Sequence, residues 1–238
     1  MQRCSPLLAI LFIFLPYLGN GARRLFAADN PGWLLPPGVG PEDATVVREG
    51  YVPQPGDLVF YSSDKMRQRF FYALAHTGKP YHSGIVVNLP DGRPALLEAG
   101  PYDFINVYLM DLLPRLRTHE GAIWVRRRRT PLTADQSARL TRFALAQTGK
   151  HFAVARIMLE VTPLHAHGTL HRRVFGSSRV DRRSWFCSEL VVAALAVAGV
   201  VDPQVMKPNT IYPRDLFYDR PFDLKPCWEE PRRWTCAP

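Results

Sequence analysis

Short apolar runs in the first half of the chain predict β-strands. Each run has five or six residues and lies near proline, glycine or polar turn residues, which is typical of strands buried in a sheet. The runs are Asp57–Tyr61, Ser83–Asn88, Ala95–Ala99 and Ala122–Arg127. Pro90-Asp91-Gly92 has the composition of a turn, so the second and third runs are predicted to pair through it.

Helical patterns follow the strands. Thr133 and Gln136 have the spacing of a capping box, and Leu140 and Phe143 continue an apolar stripe from it. Another helix is predicted between the strands, from Asp64 to the Gly78 region. Because the strands cluster before most of the helices instead of alternating with them, the chain is predicted to have an α+β fold.

Three stretches show no steady period. Asp29–Tyr51 is rich in proline and glycine and is predicted to be an extended lead-in. Arg172–Arg183 is predicted to be a polar connection, and prolines interrupt the chain from Pro203 onward.

The N-terminus is predicted to be a leader. Residues 1–28 combine Arg3, a twelve-residue apolar stretch from Leu7 to Leu18, and the small residues around Gly19. This pattern indicates a signal peptide or an N-terminal anchor, and the apolar stretch is too short for a comfortable membrane span. We therefore expect an exported protein, periplasmic, extracellular or in the cell envelope, with residues 29–238 as a single domain.

Export to an oxidising compartment would affect whether the cysteines form disulfides. Cys227 and Cys236 lie close together in the sequence, so a disulfide between them is expected in an oxidising compartment. Cys187 is then left unpaired. A free cysteine is often simply a small buried apolar residue, so a chemical role for Cys187 has to be inferred from the residues around it.

The net charge of +9 raises the question of nucleic acid. The arginine run at 126–129 follows a predicted strand, and no aromatic-interleaved recognition motif accompanies it, so nucleic acid is not expected as a partner. Anionic lipid headgroups or wall polymers suit an exported basic protein better. A solvated basic edge of the sheet is an equally good interpretation of this run.

Cys187 is the candidate nucleophile. The ten residues from Glu189 to Ala198 are mostly Leu, Val and Ala, and Gly199 follows as a C-terminal cap would. Cys187 therefore lies where this helix should begin. Unpaired backbone N–H groups and the positive end of the helix dipole favour a thiolate there. Glu189, in the first turn, is expected to cap the helix.

His82 is the candidate base, because it opens a predicted strand and its ring can project from a rigid sheet end. The alternatives are weaker. His76 is expected to lie at a helix end, and His119 and His151 have no partner motif. His165, His167 and His171 share a polar loop with metal-like spacing, but no nearby carboxylate or cysteine completes a familiar zinc site.

Glu98 is the candidate for the third group, which would orient the imidazole. Which face of the sheet Glu98 occupies depends on the register between the two paired strands. A three- or five-residue connection between the paired strands puts Glu98 on the face of His82, whereas two or four residues put it on the other face. The sequence leaves this open, with Asp103 and Asn106 as reserves.

These residues carry a resemblance to a known family. The chain resembles the circularly permuted NlpC-type cysteine peptidases of the papain-like superfamily, a group that includes YiiX-like and lecithin:retinol acyltransferase-like proteins. The matching segments are Gln54–Phe60, His82–Val87, Leu97–Ala99 and Phe186–Val191. In the unpermuted family the cysteine helix precedes the strands, and here it follows them.

The resemblance implies a small antiparallel sheet packed against the nucleophile helix. It also implies Cys187 as nucleophile, His82 as general base and Glu98 as the residue that orients it. Further residues are expected to contact substrate, because they flank these motifs or match a late segment of the family: Tyr81, Ser83, Trp185 and Tyr212.

The expected function is hydrolysis of an amide, ester or thioester bond through a thioacyl intermediate on Cys187. The substrate is expected to be a cell-wall peptide or a lipidated or acyl amide, and an acyltransferase is the related possibility. Neither a metal nor an organic cofactor is required. The alternative is a catalytically inactive module that binds lipid or polymer in the same cleft.

Overall fold

The computed structural model describes residues 31–40, 43, 45–62, 78–100, 105–156 and 168–236. The predicted leader and the helix predicted from Asp64 lie outside these residues. From Pro31 onward the chain forms one compact unit. Within the described ranges, no helix is both long enough and apolar enough to cross a bilayer.

An antiparallel sheet forms the centre of the fold. In the described part of the chain it has eight strands in the order β2-β1-β10-β7-β3-β4-β5-β6. Its strands are β1 (Trp33–Leu34), β2 (Glu49–Gly50), β3 (Leu58–Ser62), β4 (His82–Asn88), β5 (Pro94–Ala99), β6 (Val107–Asp111), β7 (Ala122–Arg126) and β10 (Arg232–Thr235). Two further short strands, β8 (His151–Phe152) and β9 (Ser184–Trp185), pair in parallel as a separate sheet. The four predicted strands are thus confirmed as β3, β4, β5 and β7.

Four of the eight strands in the large sheet were not predicted. Two-residue β1 and β2 come from the supposed lead-in, where so short a pairing leaves no alternating pattern. β10 reads as polar, yet its Arg232 reaches the backbone oxygens of Leu34 and Leu35 and the carboxylate of Glu49. Partners nearly two hundred residues away therefore make an arginine-rich segment into a sheet strand.

Helices cover the two faces of the sheet. They are α1 (Leu112–Thr118), α2 (Ala134–Gln147), α3 (Thr169–Phe175), α4 (Cys187–Val197) and α5 (Pro213–Tyr218), with a 3-10 turn at Pro208–Thr210. The predicted capping box opens α2, with Thr133 and Gln136 exchanging hydrogen bonds. The supposed connection Arg172–Arg183 is helical in its first part, so that prediction was wrong for the end of α3.

Two apolar clusters pack on opposite faces of the sheet. Ile85 and Val87 of β4 pack in a cluster with the apolar residues of α4. Val86, which points the other way, packs in a second cluster with Leu112 and Leu116 of α1. The alternation along β4 therefore places α4 on one face and α1 on the other.

The arginine run at 126–129 is not a solvated edge. It ends β7, which lies inside the sheet between β3 and β10. Arg126 is fully buried, donates to the backbone oxygens of Leu216 and Glu229, and pairs with Asp219. Arg128 is buried too and stacks over Trp228. The basic-edge interpretation was therefore wrong for Arg126 and Arg128, which are buried against the C-terminal segments, whereas Arg129 is exposed.

The expected Cys227–Cys236 disulfide is not formed, since both residues are free thiols. Closeness in sequence was misleading. Four of the residues between them form β10, and an extended strand rises about 3.3 Å per residue. The strand therefore carries Cys236 away from Cys227.

Candidate active site

The nucleophile candidate lies at the start of α4. Cys187 is the first residue of the helix, and the backbone N–H of Leu190 bonds Phe186 O at 2.9 Å. The Glu189 carboxylate accepts the Phe186 N–H at 3.2 Å, which confirms its predicted capping role. The thiol therefore lies among N–H groups that the helix does not use in its own ladder.

The thiol has three neighbours that favour the thiolate. Burial alone raises the pKa of Cys187, but the hydrogen bond and positive charge of His82 and the backbone N–H groups of Ser83 and Ser188 outweigh burial. The pKa of the thiol is therefore lowered from its ordinary value. Each of these contacts stabilises the charged form of the sulfur.

His82 joins the thiol to a carboxylate. Its Nε2 lies 3.0 Å from Oε2 of Glu98, so its other edge is the one available to Cys187. Burial lowers the pKa of the imidazole, yet the hydrogen bonds to Cys187 and Glu98 raise it to about 9. The two shifts together favour a thiolate beside an imidazolium.

The register places Glu98 on the face of His82. Asn88 pairs with Pro94, so the connection between β4 and β5 has five residues, which was one of the two arrangements that satisfied the prediction. Glu98 stands opposite Gly84, and Gly84 shares its face of β4 with His82. The carboxylate reaches the imidazole diagonally across the strand pair.

Glu98 has a second partner that the sequence did not reveal. Arg115 of α1 donates from Nε to Oε1 of Glu98 at 2.5 Å, and both side chains are buried. Burial raises the pKa of Glu98, but His82 and Arg115 together hold it below its usual value. No signal in the short segment 112–118 distinguishes this arginine from its neighbour Arg117.

The imidazole is also confined by its neighbours. The Tyr61 ring packs against it, with the ring centres 5.6 Å apart. Gly100 also lies close to the imidazole: a side-chain methyl group at position 100 would come 2.6 Å from Cε1 of His82. Position 100 therefore has to lack a side chain for His82 to hold this orientation.

The residues predicted to contact substrate divide into two groups. Tyr81 and Tyr212 stay near the site. Tyr81 leads directly into β4, and Tyr212 follows Ile211, whose backbone oxygen accepts the Ser188 hydroxyl at 2.5 Å. Both are therefore placed by segments that adjoin the thiol.

Trp185 and Ser83 lie differently from the prediction. Trp185 is fully buried, donates to Gln147 Oε1 at 3.1 Å and packs on Phe143, so direct contact of its side chain with substrate was a wrong prediction. The Ser83 side chain is buried as well. Ser83 reaches the site through its backbone N–H, which side-chain reasoning could not anticipate.

The reserve candidates are not at the thiol. Asn106 bonds His151 at 3.0 Å, and His171 stacks on Phe175 in α3. Asp103, His165 and His167 lie outside the described residues. Among the residues that are described, no group of three or more His, Cys, Asp or Glu side chains is arranged to hold a metal ion.

A pair of arginines supports the nucleophile helix. Glu189 is buried and accepts from both terminal nitrogens of Arg156, at 2.9 and 2.7 Å. Arg182 adds a third contact at 2.8 Å. Arg156 also lies over the Phe186 ring at 4.6 Å, so the residue before Cys187 is fixed by the same cluster.

The comparisons with known proteins give little. The chain matches no protein-family model and no curated protein at a significant level. Among solved structures, the chain is similar to the one titled metalloprotein YiiX from Escherichia coli O157:H7, at 18% identity and a TM-score of 0.46. The alignment covers 72% of this chain and 94% of that chain.

Proposed function

We propose that this protein is a cysteine hydrolase with a permuted papain-like arrangement, in which Cys187 attacks a carbonyl carbon. One observation carries the proposal: the imidazole of His82 lies between the thiol of Cys187, whose pKa it lowers, and the carboxylate of Glu98, whose Oε2 is 3.0 Å from its Nε2. A nucleophile, a base and a group that orients the base are the three parts such chemistry needs.

The residues support a two-step reaction. The Cys187 sulfur bonds to the carbonyl carbon, and the imidazolium of His82 gives its proton to the nitrogen or oxygen that leaves as the C–N or C–O bond breaks. His82 then takes a proton from water, which attacks the thioester and releases the acid and the thiolate. The backbone N–H of Cys187, at the helix start, is the proposed donor to the oxyanion.

Two substrate classes suit the surroundings of the thiol. Arg156 and Arg182 share the single carboxylate of Glu189, so the first turn of α4 keeps an excess positive charge, which favours an anionic substrate such as a wall peptide. Phe186 and Phe152 form an aromatic contact at 6.5 Å beside the same turn, which favours an acyl group. We include export in the proposal, with residues 1–28 as the leader and an anionic envelope surface as the setting.

The test is turnover by the full chain against peptidoglycan stem peptides, long-chain acyl esters and N-acyl amides. Cys187→Ala is compared with Cys227→Ala, which removes another free, partly buried thiol. We expect hydrolysis by the wild type and Cys227→Ala, its loss in Cys187→Ala, and a thioester adduct on Cys187 by mass spectrometry.

Equal turnover by Cys187→Ala and the wild type would refute the proposal. Saturable binding to one substrate class by both proteins, without turnover or an adduct, would instead support the inactive binding module.

A further inference from the structure

The carboxylate of Glu98 is held from two sides. Its Oε2 lies 3.0 Å from His82 Nε2, and its Oε1 accepts the Nε–H of Arg115 at 2.5 Å. The side chains of Arg115 and Glu98 are 7% and 6% exposed, so water does little to weaken the pairing. Each oxygen of the carboxylate thus has its own charged or polar partner.

Arg115 is itself fixed by packing. It belongs to α1, whose Leu112 and Leu116 are buried in the apolar cluster on that face of the sheet. Its guanidinium lies 5.1 Å from the centre of the Tyr61 ring, and the same ring packs against His82. A cation over an aromatic face is an attractive and directional contact. The helix therefore presents the guanidinium to Glu98 in a single orientation.

A guanidinium stays charged at every pH at which the protein is folded. Glu98 consequently keeps a positive partner even when His82 is neutral. Without that partner, a carboxylate this deeply buried would tend to take up a proton. A protonated Glu98 would no longer hold the imidazolium, and His82 could then no longer favour the thiolate of Cys187.

We propose that Arg115 is a positioning residue for the thiol chemistry, acting on Cys187 through Glu98 and His82. This inference rests on the proposed function. Arg115 does not have to touch substrate for this role. Its contribution is to keep the carboxylate ionised and oriented, so that the imidazole faces the sulfur throughout the reaction.

The test compares Arg115→Met, Arg115→Lys and, as a matched control, Arg117→Met. Arg117 lies on the same helix and is exposed. In each protein, the rate of Cys187 alkylation by iodoacetamide is followed from about pH 5 to pH 10, with Cys4, Cys227 and Cys236 replaced by serine. Where a substrate is known, kcat/KM is measured over the same range.

We expect the acid inflection of alkylation to rise by about one pH unit or more in Arg115→Met. A Glu98 that takes up a proton no longer holds the imidazolium beside the sulfur, and a neighbouring opposite charge typically shifts a pKa by 1 to 3 units. Alkylation below the inflection should then be about tenfold slower. Arg115→Lys should recover part of the shift, since it restores charge without the planar fork. Arg117→Met should match the wild type.

A wild-type profile in folded Arg115→Met would overturn the inference. If Arg115→Met does not fold, Arg115→Gln decides, because glutamine also lacks the positive charge and a wild-type profile in folded Arg115→Gln would equally exclude the role. Alkylation requires no turnover. The Arg115 inference can therefore fail while hydrolysis is found, and it can hold when no tested substrate is cleaved.

Discussion

Replacing His82 by alanine should turn Cys187 from an activated thiol into an ordinary one. The imidazole is 1% exposed and contacts both the thiol and Glu98. Its removal takes away the hydrogen bond and the positive charge that oppose the effect of burial on the sulfur. The pKa of Cys187 should then rise, since burial remains and disfavours the thiolate.

The expected size of the effect follows from the pKa shift of the imidazole. Its pKa is raised from 6.5 to about 9, even though burial alone would lower it. Each pKa unit corresponds to about 1.4 kcal/mol, so the partners favour the imidazolium by a net of about 3 kcal/mol. An ordinary cysteine, with a pKa of about 8.5, is only about 3% thiolate at pH 7. His82→Ala should fall to this level or below.

The assay is the pH dependence of the thiolate, read by its ultraviolet absorbance and by the alkylation rate. The inflection is more informative than the rate at one pH, because a thiolate of low pKa is also intrinsically less nucleophilic. Cys4, Cys227 and Cys236 are replaced by serine in every protein. The control is His119→Ala, since His119 also packs on Tyr61 but bonds the backbone oxygen of Ser62.

We expect an inflection below that of an ordinary cysteine in the wild type and His119→Ala, and at about pH 8.5 or higher in His82→Ala. An inflection in His82→Ala that matches the wild type would refute the reasoning. The helix start and the backbone N–H groups would then be sufficient to activate the thiol without the imidazole.

Two other predictions concern the same imidazole. Gly100→Ala should reduce kcat/KM by about a hundredfold, because the new methyl group would lie 2.6 Å from Cε1 of His82 and small misplacements at a reacting group have effects of this size. The control is Gly50→Ala, whose methyl group meets no atom within 4 Å and should leave kcat/KM unchanged. A Gly100→Ala protein with wild-type activity would contradict the geometry. Hydrolysis should decline above about pH 9, because the leaving group takes its proton from an imidazolium that is lost as pH rises through the raised pKa of His82. A decline centred near pH 6.5 would show instead that this histidine titrates normally.

The central strands could be predicted from sequence because their pattern is local. Each of these four strands is a short, mostly apolar run, so its burial in a sheet could be predicted without knowing the register: β3, β4, β5 and β7. The face of Glu98 could not be predicted, because it depends on the pairing of Asn88 with Pro94 across the turn. Sequence reasoning therefore singled out His82 and Glu98 and left undecided whether they meet.

Arginines show the limit of sequence reasoning more sharply. Arg126 and Arg115 are both buried, although arginine is ordinarily a surface residue. The partners of Arg126 include Leu216 and Glu229, which are 90 and 103 residues away. Arg115 lies in a seven-residue helix interrupted by Pro114, where no apolar period marks a helix or its buried face. Burial of a charge depends on distant partners, and a local pattern does not contain them.

The charges around the thiol alternate through the sheet. In the ionised state, thiolate, imidazolium, carboxylate and guanidinium follow one another from Cys187 to Arg115, and they sum to zero. This series begins at the helix on one face of the sheet and ends at the helix on the other. Buried ion pairs are seldom more stabilising than apolar groups of the same volume, whereas removal of one member leaves an uncompensated charge. A cleft that only binds lipid or polymer would be served as well by apolar side chains at these positions. The alternating series therefore supports the proposal that the thiol is kept ionised for reaction.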